Sequence, residues 1–344
     1  MDNLSHSLTG LALSRAGLNR FSPHATTLLL LSANAPDIDI LATSRGGLAY
    51  LEAHRGYTHC LLFLPLVAAL PVLVTAAIFR KRLPWLEAWI VCCIGVASHL
   101  VMDWTNSFGV RLLLPFSSRW FHLDLNSLYD GWILAVLAFA AVWPLFARLV
   151  SNEIGARSAA GRGIAVFALA FFAFFDCGRA ALHARATAQL NSRLYESAQP
   201  VQTAALPQPF SPFRWTGIVE TSDDYRVMEL DALGQLDIEN DSTWYKPAMT
   251  PTFANAKATE PFRYFLYFAR FPVWSINPVV MRDGKQGKRV ELTDLRFGTP
   301  GAGSFHCIAV ENSRGQVVES LFTFGSGRDL GWGAGRAASE GRAN

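Results

Sequence analysis

Four stretches of this chain are each long and apolar enough to cross a bilayer, and they crowd into about 125 residues: 60–79, 85–103, 128–148 and 163–182. A crossing helix needs roughly 20 predominantly apolar residues. A buried soluble core can produce one such run. Four in succession predict an α-helical integral membrane bundle. Trp85, Trp104, Trp132 and Trp143 lie toward the ends of the runs, where amphipathic rings favour the headgroup layer. Charged residues make up only 17% of the chain, against about 25% in soluble domains. Pro65, Pro71 and Pro144 fall inside the runs, which membrane helices tolerate when neighbours satisfy the backbone groups that proline frees.

Two shorter apolar segments, about 4–17 and 25–35, come first, separated by Ser22-Pro23 and ended by Pro36. Neither spans a membrane alone, which predicts a shallow N-terminal helical hairpin packed on the bundle. The first residues lack the basic start and small-residue cleavage site of a secretory signal. Arg80, Lys81 and Arg82 separate the first two runs, and Arg148, Arg157 and Arg162 the last two. The positive-inside rule then puts both loops in the cytoplasm and everything beyond 183 outside. Arg179, Arg185 and Arg193 pull mildly the other way.

The composition changes near residue 200. Segments 215–220, 225–230, 263–274, 289–297 and 305–310 are rich in β-branched and aromatic residues and bounded by turn formers. The expected organisation is a membrane domain over 1–185, a Gln/Pro/Ala linker over 186–212, a small β-rich soluble domain over 213–324, and a disordered Gly-rich tail over 325–344. Five cysteines without a CxxC pair argue against a cysteine zinc site. The 30 Lys and Arg are spread out, with a net charge of +3 and no basic stripe for nucleic acid.

Histidine placement points to chemistry. Six of the eight histidines fall within residues 1–122, together with Asp37, Asp39 and Asp103. Imidazole nitrogen and carboxylate oxygen are ligands for zinc, manganese or iron. His99 and Asp103 stand four apart, on one helix face; a helix-end histidine capped by an aspartate is the plain alternative. His54 and His59 flank Gly56, whose freedom allows a turn that aims both rings at one point. Arg55 between them suits an anionic group, or merely the edge of the membrane. Asp37 and Asp39 point the same way if their segment is extended; one of them as a helix cap is the alternative. His6 gains weight only from its company. Asp130, at the start of the third span, is a candidate ligand or an orienter of ligands, and His122 and Asp124 are weaker candidates. Asp176 has Arg179 one turn on as a structural partner.

In order, His6, PDID at 36–39, HRGYTH at 54–59, HLVMD at 99–103, the run NSFGVRLLLPFS, and HLDL followed by Asp130 resemble the YdjM-like family of bacterial membrane-bound metal-dependent hydrolases. The likeness covers roughly residues 1–150, and HRGxTH is its most specific part. That family is similar to the zinc-dependent phospholipase C superfamily. The resemblance implies a bacterial inner-membrane protein binding divalent metal, zinc first, through His6, Asp37 or Asp39, His54, His59, His99 and Asp103. It further implies hydrolysis of a phosphoester or other ester of a lipid or lipid-linked substrate. The second downstream His-plus-acid pair of the phospholipases is missing, so metal number does not carry over. On this reading a metal-activated water attacks, Asp37 or Asp39 is the general base, and Arg55, Asn106 and Arg111 steady substrate anions. A metal-ion transporter would want ligands near mid-membrane and paired repeats. A non-catalytic scaffold with a structural metal would want a closed ligand shell.

Overall fold

The computed structural model describes residues 1–80, 83–153, 161–234, 241–281, 284–300 and 302–325, with only the backbone of 150–153. Lys81, Arg82 and Arg157 of the basic pattern, and the tail from 326, lie outside these residues. The chain divides into two compact units: Met1–Ala42 with Ala53–Gly217 and Met228–Asp241, and Thr43–Glu52 with Ile218–Val227 and Ser242–Asn344.

Helices come first along the chain: α1 (Asn3–Ala16), α2 (Ala25–Ser32), α3 (Gly47–Ala53), α4 (Leu64–Phe79), α5 (Trp85–Trp104), α6 (Gly131–Glu153) and α7 (Arg162–Asn191). Among the described residues α5, α6 and α7 are long and apolar enough to cross a membrane. A fourth crossing exists if Gly47–His59 and Leu64–Phe79 form one span bent by 91°. The run 60–79 starts its helix late because Cys60 is extended and Pro65 occupies the first turn. The 16 residues of α4 reach about 24 Å, short of a hydrocarbon core of about 30 Å.

The N-terminal hairpin packs on the bundle as expected. α1 packs against α2, α5, α6 and α7, burying a face of small and polar residues: Ser5, His6, Thr9, Gly10, Ala12 and Ser14. Membrane helices associate through small residues that let backbones approach. Gly95 of α5 is the tightest case: a Cβ there would lie 1.9 Å from Ser32 Oγ. Arg15 carries out the repair that Pro144 requires. Pro144 has no N–H for the carbonyl four residues back, Ala140, and Arg15 Nη1 donates to the carbonyls of Ala140 at 3.2 Å and Ala141 at 2.7 Å.

After α7 come β1 (Gln202–Pro207), β2 (Arg214–Glu220), β3 (Asp224–Asp231) and β4 (Ser242–Tyr245), forming a sheet in that order. Within the stretch 186–212, expected as a linker, α7 runs to Asn191 and β1 covers Gln202–Pro207. Next are α8 (Pro251–Lys257) and α9 (Glu260–Phe268), then an antiparallel meander of β5 (Pro272–Val280), β6 (Gln286–Asp294), β7 (Phe305–Asn312) and β8 (Val317–Phe324). The aromatic run 263–274 divides rather than forming one strand. Phe262, Phe265 and Phe268 bury one face of α9, and the strand begins only at Pro272.

Candidate metal centre

The helical unit brings chemistry-bearing residues together from three places. His99 and Asp103 lie in the last turns of α5, both buried. α2 ends at Ser32, and the chain enters a 3-10 stretch, Ala35–Arg45, that carries Asp37 and Asp39. The extended geometry expected for these two aspartates is not formed, and they serve different neighbours. A turn at Arg55 and Gly56 delivers His59 from a second 3-10 segment, Tyr57–His59. Arg55 adopts a left-handed φ of 53°, a conformation that costs of the order of 1 kcal/mol; its N–H is held by Asp39 Oδ2 at 3.0 Å. Glycine is required next, because a Cβ at Gly56 would lie 2.7 Å from Arg111 Nη2 and 2.8 Å from the Ala53 carbonyl.

Asp37, His59, His99 and Asp103 each offer one ligand atom, all within 4.8 Å of one another. The hydrogen bonds around them fix which atoms are bare. His99 Nδ1 lies 2.7 Å from the Ala33 carbonyl, which can only accept, so Nδ1 carries the proton. His59 Nδ1 lies 2.9 Å from Thr58 Oγ1, whose own hydrogen goes to Asp39 Oδ2 at 3.1 Å. His59 Nδ1 therefore donates as well. With each Nδ1 as the donor, the neutral tautomers turn unprotonated Nε2 atoms toward each other at 3.0 Å. Asp37 Oδ1 lies 3.5 and 3.6 Å from them, and Asp103 Oδ2 3.4 Å from both. Four electron pairs pointed inward in a buried site repel unless they share a cation. Two imidazole nitrogens and two carboxylate oxygens are a donor set that suits zinc and its neighbours.

His6 borders the cluster. Its ring stacks on His99 with centroids 3.8 Å apart, its Nε2 lies 3.4 Å from Asp103 Oδ1, and it is fully buried. Neither of its ring nitrogens has a hydrogen-bond partner among the described residues, nor has Asp103 Oδ2. Asp39 stands behind the cluster, also accepting from His54 Nδ1 at 3.0 Å. Asp37, Asp39 and His54 make a second group of possible ligands sharing Asp37.

Other expected site residues are engaged elsewhere. Asp130 lies outside both groups: its Oδ1 caps α6 by accepting from Trp132 and Ile133, and its Oδ2 pairs with Arg179. Asp176 correspondingly accepts from Asn126 Nδ2 at 2.8 Å and makes no ion pair with Arg179. Arg55 is 2% exposed and does not present its guanidinium to an incoming anion. It donates to Asp103 Oδ1 at 2.9 Å and lies over the Phe108 ring at 4.7 Å. Asn106 accepts from Phe108 N, Arg111 donates to the His54 carbonyl, and His122 pairs with Asp124. Sequence reasoning missed Thr58, the Ala33 carbonyl and the Met1 amino group, which bonds Asp103 Oδ1. Only Thr58, inside the His-to-His segment, carried a local signal.

A family described as YdjM inner membrane protein matches residues 1–183. The chain is 30% identical over 156 residues to the uncharacterized protein YfhP of Bacillus subtilis, covering 42% of this chain and 46% of that one. It is 33% identical over 96 residues to the inner membrane protein YbcI of Escherichia coli, covering 27% and 54%. The chain thus spans about half the length of these curated relatives. No solved structure matches it significantly.

Proposed function

This chain belongs to the YdjM inner membrane protein family, and from that premise we propose that it is a membrane-bound metal-dependent hydrolase of a phosphoester or other ester in a lipid or lipid-linked substrate. The observation that carries the reading is the convergence of bare ligand atoms from Asp37, His59, His99 and Asp103. These four residues would hold a divalent ion, zinc first, with His6 beside them. Such an ion, when bound, supplies a water of lowered pKa and polarises the scissile bond.

The chain's own residues divide the remaining work. Asp37, at 15% side-chain exposure against 0–1% for His59, His99 and Asp103, lies on the side where water and substrate enter. Asp39 is a positioning residue, holding His54, Arg55, Thr58 and His59. His54, oriented by Asp39, is the general base of this reading. Arg55 neutralises Asp103. Support for a lipid substrate comes from the same segments: Ile38, Ile40 and Leu41 are 44%, 58% and 69% exposed, and Leu61 and Leu62 53% each. Apolar surface exposed on the segments that carry Asp37 and His59 suits contact with lipid. The positive-inside rule puts this end of the bundle, and the C-terminal unit, outside the cytoplasm.

The near-complete burial of three ligands favours a second reading, a structural metal in a non-catalytic scaffold. Elemental analysis of detergent-purified protein, with His99→Ala and His54→Gln beside wild type, tests both. Metal present in wild type and lost in His99→Ala is expected, and equal content in the two removes the site. His54→Gln is expected to keep its metal and lose turnover of phosphodiester, phosphomonoester and phospholipid substrates by about 100-fold or more. Metal in wild type with no turnover of any of these leaves the scaffold.

A further inference from the structure

Ten residues along α1 from His6 the helix ends, and a separate cavity of about 630 Å³ opens there. Leu13, Leu18, Phe21 and Ile94 line it, with Arg20 and Arg162 and no carboxylate. This size falls within the range of sites that take whole small molecules, about 300–1,000 Å³. Arg162 is the first residue of the spanning helix α7, and its Nε is committed to the Ala16 carbonyl at 3.0 Å. The Arg20 guanidinium has no hydrogen bond or ion pair among the described residues, the residue's N–H alone being bonded, to the Gly17 carbonyl at 3.2 Å. Ile94, by contrast, is nine residues into α5, about 13 Å along the helix from its start. The walls therefore run from a cationic mouth at a helix end to an apolar floor inside the span.

We propose that this cavity binds one anionic phospholipid, its phosphate between Arg20 and Arg162 and an acyl chain along Leu13 and Ile94. Two unopposed guanidiniums select a negative headgroup and offer bidentate donors to phosphate. An apolar wall at membrane depth gives a chain the surroundings it has in the bilayer, whereas free phosphate would leave that wall uncovered. With the basic loops inside, the mouth faces the cytoplasmic leaflet, whose anionic lipids attract such residues. The site is separate from the metal cluster and independent of any hydrolytic reading.

The full chain, purified in mild detergent and exchanged into nanodiscs of equal phosphatidylglycerol and phosphatidylcholine, is then stripped by detergent, and its retained lipid measured by native mass spectrometry. Wild type is expected to keep one phosphatidylglycerol. Retention should fall about fivefold in Arg20→Gln and about thirtyfold with Arg162→Gln added. Leu18→Trp, which fills the cavity and keeps both charges, should also lose the lipid, while Arg119→Gln should keep it and all variants keep their metal content. Arg20→Gln breaks no side-chain hydrogen bond or ion pair among the described residues, so its result stands even if the double variant misfolds. Retention of both lipids alike, undiminished phosphatidylglycerol in Arg20→Gln, or a lipid-free dimer dissociated by these substitutions would each overturn the proposal.

Discussion

Two aspartates in the helical unit invite comparison. Asp103 and Asp130 are both buried at the ends of spanning helices, and each meets a buried arginine. Asp130 is saturated, one oxygen capping α6 and the other on Arg179. Asp103 spends Oδ1 on Arg55 and the Met1 amine, yet Oδ2 has no hydrogen bond and faces two imidazoles. Both carboxylates are charge-balanced, and burial alone would rank them equally. What separates a structural acid from a metal ligand here is an electron pair left bare in company with others.

The largest expected effect breaks that comparison directly. Asp103→Asn should abolish metal content in folded protein, because the amide presents a neutral oxygen or an N–H where an anion is needed. Asp130→Asn should leave metal per folded molecule unchanged. Elemental analysis of monodisperse protein decides it, and equal loss in both would erase the distinction.

Stability should show the reverse order. Breaking a buried pair strands a charge at about 3–5 kcal/mol, so Arg179→Met should destabilise strongly with Asp130 unchanged. Replacing both, as Asp130→Leu with Arg179→Met, should recover much of the loss, since an apolar pair of similar volume often matches a buried ion pair. Denaturant-induced unfolding in detergent measures it. A double variant no better than the single would mean that the α6 cap, not the pair, dominates.

A finer change sharpens the ligand side. Thr58→Val removes the hydroxyl that links His59 Nδ1 to Asp39 while leaving all four ligands in place. Loss of such outer support lowers metal affinity by about 10–100-fold, readable by competition with a chelator. Unchanged affinity would show that Asp39, 3.4 Å from His59 Nδ1, orients the ring unaided.

Legibility from sequence followed the range of the interactions. The four-residue spacing of His99 and Asp103 put them on one face, and the structure holds His99 Nε2 3.4 Å from Asp103 Oδ2. The histidines at 54 and 59 announced a turn, but their division of labour depends on Asp39, reached only after Ala35–Arg45 coils as a 3-10 stretch. Asp130 misled because its partner Arg179 lies 49 residues on, while the nearer Asp176 drew attention to itself. Which face of α1 packs was not legible, because the buried face holds serine, threonine and glycine, which hydropathy does not register. The run 263–274 read as a strand because aromatic residues suit both periods, and the turn of α9 is set by packing of Phe265 against Phe322, 5.5 Å between centroids.

The smallest predicted effect extends the contrast to the other unit. His306 lies in β7 with Nδ1 2.5 Å from Glu291 and Nε2 2.6 Å from the Gly303 carbonyl. Both nitrogens are satisfied, so this buried histidine has no electron pair to offer a metal. The hydrogen bond to Glu291 raises His306 above its ordinary 6.5 despite burial. Burial pushes Glu291 upward, but His306 and Arg289 outweigh it and hold it below 4.5. The raised histidine stabilises fully below its unfolded value of 6.5 and loses that contribution as pH climbs through its folded value. The lowered glutamate stabilises fully above its unfolded value of 4.5 and loses that contribution as pH falls through its folded value. The pair is therefore strongest between pH 4.5 and 6.5, by about 1 kcal/mol over alkaline or acidic extremes. Hydrogen-exchange protection of β6 and β7 in the full chain, corrected for intrinsic rates, should peak in that window and flatten in His306→Gln. Added zinc should leave the peak where it is, because a histidine whose two nitrogens are already used titrates with its carboxylate and not with a metal.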